Sequence, residues 1–305
     1  MDAIPSAEQT AEVDPQPAVP SRRTIVPGFQ IQPFWTFVGG WSVLCGVLAS
    51  NQLRWNGELL LALAIAFLLV TLAWAGLWNL ATGNDWVHVL SESRSTSRAV
   101  LPVLPFTHPH SPAGRLGRGL TVLVGWWRET FWPAAGSIAV GCLVAALLAV
   151  VLSLLLPPSL RWLNVAVAGL VALGIAQRHR GHTSLAGQSL LFVGFAWMAG
   201  YLAFARFHWP SAALALLFSL AAWGVLRVAQ GRTGWPWLLH GGHVIVAVLL
   251  LTLKQPLAAG GVGILLLGQV ISHLTLRFGE DPRRVAQRTW PWLAAAMLVA
   301  AWAIP

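Results

Sequence analysis

Nine apolar segments of membrane length follow one another from residue 33 onward, with little that is polar between most of them. They read as Pro33–Ser50, Glu58–Ala81, Phe131–Leu156, Ser159–Gln177, Ser184–Ala205, Trp209–Ala229, Trp235–Leu253, Leu257–Leu276 and Thr289–Ile304. A hydrocarbon core roughly 30 Å thick takes about 20 helical residues to cross. Within lipid, every backbone N–H and C=O must be satisfied inside the protein, which restricts lipid-exposed spans of this kind to helices. The expected fold class is therefore an all-α integral membrane protein, a bundle of nine transmembrane helices. Charge content points the same way. Only 10% of the residues are charged, against about 25% in soluble domains.

The basic residues give this bundle a direction. With the N-terminus in the cytoplasm, the inner segments carry Arg22, Arg23, Arg94, Arg98, Arg115, Arg118, Arg128, Arg178, Arg180, Arg227, Arg232, Arg277, Arg283, Arg284 and Arg288. Arg54, Arg161, Arg206 and Lys254 remain outside, one to a loop. That asymmetry is the positive-inside pattern, and it places the C-terminus outside a cell inner (plasma) membrane. The net charge of +9 is scattered among loops rather than gathered in one patch, which argues against a nucleic-acid partner.

Residues 1–32 are rich in Pro, Ala, Glu and Gln and read as a disordered cytoplasmic tail, without the apolar core of a signal peptide. Residues 33–305 form the membrane domain, interrupted by a long cytoplasmic connector over 82–130. Thr121–Trp127 is too short to span and is expected to lie in the interface. Trp126, Trp127, Trp132, Trp235, Trp237, Trp290 and Trp292 stand at segment ends. Headgroup anchoring explains indoles there, and the prolines beside them suit a first helical turn. Stacking on a pigment or quinone is the alternative.

Residues able to carry chemistry are few. Cys45 and Cys142 both lie within apolar segments and read as small buried hydrophobes. His240 and His243, three apart, share a helical face at the inner end of the seventh segment, and His273 lies near the inner end of the eighth. Polar groups at such depths usually face the bundle interior and raise a functional hypothesis. The histidines suit an axial ligand to haem or a chlorin, or a quinone hydrogen bond, with Gly241 and Gly242 admitting a flat ring. Interhelical hydrogen bonding is the other reading, with Gln188 and Gln269 as similar glue. No Cys or carboxylate accompanies them, so no metal site is expected. Arg115, Arg118, Trp126, Trp127 and Arg128 form a basic, aromatic stretch suited to anionic lipid or to another membrane subunit. Glu280-Asp281 before Pro282-Arg283-Arg284 reads as a solvated turn. No phosphate-binding Gly-rich loop, nucleophile elbow or HExxH motif is present.

Nine spans, the long inner connector after the second, the opening Gln32-Pro33-Phe34-Trp35 and Asn79 at the end of the second span resemble the UbiA superfamily of intramembrane prenyltransferases. The resemblance implies aspartate-rich motifs after spans two and six that hold Mg²⁺ against an isoprenoid diphosphate. Asn79 matches the first motif, but Gly83 and Val87 stand where aspartates would follow at intervals of four, and Asp85 is the nearby acid. The connector after the sixth span, residues 227–234, holds no acid. Mg²⁺ requires hard oxygen ligands such as carboxylates, and arginines that clamp a diphosphate do not replace metal activation of the leaving group. The expectation is the family's fold without its standard transfer: a non-catalytic protein that binds a lipophilic small molecule, or a subunit or assembly factor of a membrane complex. The alternative is an atypical prenyltransferase using Asn79, Asp85, the inner arginines and Mg²⁺. A transporter ranks below both.

Overall fold

The computed structural model describes residues 33–52, 56–84, 86, 111–180, 182, 184–231, 236–274 and 281–304. Asp85, the tail 1–32 and residues 87–110 of the connector lie outside the described residues. All regular structure among the described residues is helical. The helices are α1 (Pro33–Ala49), α2 (Gly57–Thr82), α3 (Pro112–Trp126), α4 (Trp132–Leu154), α5 (Ser159–His179), α6 (Leu185–Leu202), α7 (Trp209–Ala229), α8 (Pro236–Thr252), α9 (Pro256–Leu274) and α10 (Pro282–Ala303). Six apolar stretches are long enough to cross a membrane: α2, Ala135–Leu154 of α4, α5, α6, α7 and α9. Phe34–Ala49 and Trp237–Thr252 are shorter apolar helices.

Local sequence sets where these helices start. Pro33, Pro112, Pro133, Pro210, Pro236, Pro256 and Pro282 all fall in first turns, where a missing N–H costs nothing and φ is already helical. Side chains cap other starts. Asn56 Oδ1 accepts from the Glu58 N–H at 3.3 Å, Ser111 Oγ from the Gly114 N–H at 3.0 Å, and Asp281 Oδ1 from the Arg283 N–H at 3.0 Å. Asp281, expected in a solvated turn with Glu280, which lies outside the described residues, is thus a helix cap, and α10 begins earlier than the apolar pattern alone predicts. At their far ends, α1 and α8 give way to left-handed Asn51 and Lys254, with φ of 51° and 61°.

The bundle is apolar outside as well as inside. Leu147, Leu154, Val165, Leu257 and Ile264 are all exposed, which water would penalise and lipid does not. α6 is the central element. Its span is 72% buried, against 22% for α5 and 17% for α9. Lipid offers no hydrophobic drive for helices to associate, so close packing and hydrogen bonds must do it. Where α1 crosses α6 this is plain: a Cβ on Gly46 would overlap the Trp197 carbonyl, and one on Gly200 would overlap the Val43 carbonyl. A Cβ on Gly224 of α7 would come within 2.8 Å of the Leu239 nitrogen of α8.

Hydrogen bonds between helices complete the packing. Trp74 Nε1 in α2 donates to Asn164 Oδ1 in α5 at 2.7 Å, and Asn164 Nδ2 donates to the Ala149 carbonyl of α4 at 3.0 Å. Trp197 Nε1 donates to Ser211 Oγ of α7 at 3.0 Å, and Trp41 Nε1 to the Ala294 carbonyl of α10 at 3.1 Å. Among the described residues three stretches widen to π-helix, Leu69–Trp74 within α2, Trp127–Phe131 between α3 and α4, and Leu190–Phe195 within α6. Asn164→Leu leaves the fully buried Trp74 indole without an acceptor, and is expected to cost about 1–3 kcal/mol. Unfolding in a denaturing-detergent titration measures it, and an unchanged midpoint would refute the three-helix bridge.

Candidate functional site

The residues singled out from sequence gather at the end of the bundle where α1, α8 and α10 begin and α2, α7 and α9 finish. Asn79 is half-buried in the last turn of α2, and its carbonyl accepts the Gly83 N–H at 3.0 Å. The next carbonyls of that turn are closed by side chains. Asn84 Nδ2 donates to Leu80 O at 2.9 Å, and Trp86 Nε1 donates to Ala81 O at 2.7 Å. A Cβ at position 83 would overlap the Asn79 carbonyl. The place where the UbiA resemblance implies an aspartate is therefore shaped around glycine.

Two of the three histidines expected to act together do lie face to edge. His240 and His273 have ring centroids 5.1 Å apart and planes at 77°, one from α8 and one from α9. His240 Nδ1 and both ring nitrogens of His273 are buried without a hydrogen-bond partner. His243 lies one rung deeper and is differently occupied. Its Nδ1 lies 3.0 Å from the Leu239 carbonyl, and its Nε2 lies 3.2 Å from Gln269 Nε2. A neutral ring protonated at Nδ1 satisfies both contacts, donating to Leu239 and accepting from Gln269. His243 thus serves α8–α9 packing, while Gln269 Oε1 is left buried and unpartnered. Beside Gly241 a Cβ would meet nothing within 4 Å, so that flank of α8 is open. Among the described residues no group of three His, Cys, Asp or Glu side chains converges.

The basic aromatic stretch forms α3 and the π-helical turn Trp127–Phe131 that runs on into α4. Arg115, Leu116, Leu120, Leu123, Trp127 and Arg128 are exposed, and Arg118 lies on the same helix. Trp127 stacks on Phe131 at 4.5 Å. A largely exposed helix with one apolar face has the form of an interfacial segment, and it is longer than the seven residues expected.

Apolar clefts lined by described residues open through the sides of the bundle. One, of about 460 Å³, lies between α5, α6 and α7, lined by Trp162, Phe195, Met198 and Phe207 among others. Another, of about 390 Å³, separates α1 from α10 and is lined by Phe34, Phe37, Trp41, Gln287, Trp290 and Met297. Trp290 packs edge-on against Phe34 at 5.2 Å and Trp35 at 5.9 Å, so it belongs to an aromatic cluster rather than standing free. Asn164 carries no sequence signal beyond an amide within an apolar segment.

An apolar-surfaced helical bundle with lipid-width spans and a polar seam near one end is a multi-pass membrane protein. Over 306 residues, spanning 89% of each chain, it is 26% identical to the bacteriochlorophyll synthase 34 kDa chain of Chloroflexus aurantiacus. No family model and no solved structure matches the chain.

Proposed function

We propose that this chain is a nine-span, UbiA-like membrane protein, N-terminus in the cytoplasm and C-terminus outside, that binds a lipophilic molecule instead of transferring a prenyl group with Mg²⁺. The observation that carries this is the α8–α9 seam, where polar atoms of His240, His273 and Gln269 are buried with no partner. Such atoms are costly at membrane depth unless something meets them. A haem, chlorin or quinone could do so. The relative's name favours the chlorin class, because that protein is a bacteriochlorophyll synthase chain. The glycine-shaped turn at Gly83 and the acid-free connector after α7 support the loss of the Mg²⁺ motifs. Protein drawn from its native membrane in mild detergent tests the reading by visible absorption and mass spectrometry of what is extracted. A stoichiometric lipophile, lost on His240→Ala or His273→Ala, is expected. A colourless protein free of any bound lipophile would sink it.

The second reading is an atypical transferase acting on an isoprenoid diphosphate, favoured by the word synthase in the relative's name. It requires Mg²⁺-dependent turnover that falls at least tenfold on Asp85→Asn.

The exposed α3 supports a role in a membrane complex or on anionic lipid. Near an anionic surface each arginine contributes about 1 kcal/mol. Replacing Arg115 and Arg128 together with glutamine is therefore expected to weaken binding to phosphatidylserine vesicles, or to a co-purifying subunit, by roughly tenfold or more. Vesicle flotation and pull-down distinguish the two, and equal binding by the double variant would refute both.

A further inference from the structure

We infer that the α8–α9 seam is a site for one divalent first-row transition ion, held by His240 and His273 with Gln269 Oε1 as an oxygen ligand. This rests on the reading that the seam is a ligand site, and it assigns these side-chain atoms to an ion whose open position an oxygen of the lipophile would take. The geometry carries it. Two imidazoles on opposite faces of a macrocycle need room for the ring between them, and centroids 5.1 Å apart do not leave it. Two imidazoles sharing one tetrahedral ion, at about 2.0–2.1 Å from each nitrogen, have centroids roughly 5 Å apart. The donors match as well. Imidazole nitrogen suits zinc, copper and nickel, and the nitrogens on offer are buried without partners.

The remaining donor comes from the next rung. Gln269 lies one helical turn before His273 on α9, so the two share a face. Its Nε2 is taken up by His243, and that contact orients the amide while its Oε1 stays unpartnered. His243 is then a positioning residue. Hydrogen-bonded to Leu239 O at 3.0 Å, it fixes the amide that would meet the ion. With no third His, Cys, Asp or Glu among the described residues at this point, a fourth position stays open to water or to a ligand oxygen.

The test uses full-length protein purified through a non-histidine tag, stripped with chelator in mild detergent and titrated with Co²⁺. One ion per chain is expected, with a visible d–d band that Zn²⁺ abolishes by competition. His240→Leu and His273→Leu should each weaken binding at least a hundredfold. His182→Ala and His208→Ala, outside the seam, should bind as the parent does. Gln269→Glu, which keeps an oxygen donor, should retain the band. The thermal midpoint with and without ion shows that the variants are folded; Co²⁺ should raise the midpoint of the parent, the two control variants and Gln269→Glu, but not that of His240→Leu or His273→Leu. No ion in the stripped parent, or binding that survives both histidine changes, overturns the site. Organic extraction of the same preparations separates this result from the lipophilic-ligand reading. A protein that binds Co²⁺ but yields no lipophile leaves the ion site standing, and a bound lipophile without any ion removes it.

Discussion

Leucine at Gly46 or Gly200 is expected to drive α1 away from α6 and lose most of the correctly folded protein. The two glycines meet across the same crossing, each with its α-carbon against a backbone carbonyl of the other helix, Trp197 O and Val43 O. A flexible side chain could yield to an added methyl group, but a helical carbonyl cannot without moving its whole helix. Overpacking of a fitted core costs about 1–3 kcal/mol where neighbours can adjust, and here they cannot, so the upper end or beyond applies. The loss should spread, because α6 is the most buried span, and Trp197 also holds Ser211 of α7 and stacks on Phe218 at 5.8 Å. Yield of monodisperse protein and the thermal midpoint in detergent measure the effect. Gly169→Leu and Gly263→Leu, where an added Cβ meets nothing within 4 Å, are the controls and should behave as the parent. A normal midpoint for Gly46→Leu and Gly200→Leu would mean that α1 and α6 do not cross at this distance.

The second large effect changes sign along one helix face. In ligand-free protein, His240→Leu or His273→Leu should raise stability by about 1–3 kcal/mol, because each removes buried polar atoms that lack partners. His243→Leu should lower it, because Gln269 then loses its partner. Hydrogen bonds between membrane helices average about 0.6 kcal/mol in double-mutant cycles, so the loss at His243 is expected to be the smaller change. With ligand present the first pair should reverse, since binding stabilises only the chain that can bind. A site that costs stability when empty is the pattern expected where function overrides packing. Denaturing-detergent titrations of the three variants, with and without ligand, read this out. Three losses of equal size would reduce the seam to ordinary packing.

Much of the helical framework was legible from the chain alone. The prolines at 33, 133, 210, 236 and 256, together with apolar runs of lipid width, place most helix starts within a residue or two of where they fall; the last helix is the exception, expected from Thr289 and starting at Pro282. α3 starts at Pro112, capped by Ser111, nine residues before the apolar run that the sequence offers. The apolar pattern predicts only Thr121–Trp127 of that helix, because its first half alternates arginine and glycine with apolar residues and lacks a continuous run. The charge asymmetry likewise needs no coordinates.

What the sequence by itself determined, then, is which residues are helical and that lipid surrounds them. Only the tertiary structure decided which faces meet. In water a helix declares its buried face by an apolar stripe, but in lipid both faces are apolar and that signal vanishes. So Trp74 and Trp197 are fully buried while Trp162 and Trp237 face outward, and nothing in their local sequence separates them. The same holds for the histidines. Spacing placed His240 and His243 on one face, yet the antiparallel register of α8 and α9 gave His243 to Gln269 and His240 to His273. Pairing across helices depends on where two backbones can approach, and that is set by glycines such as Gly46, Gly200 and Gly224 at points where the facing helix presents only backbone.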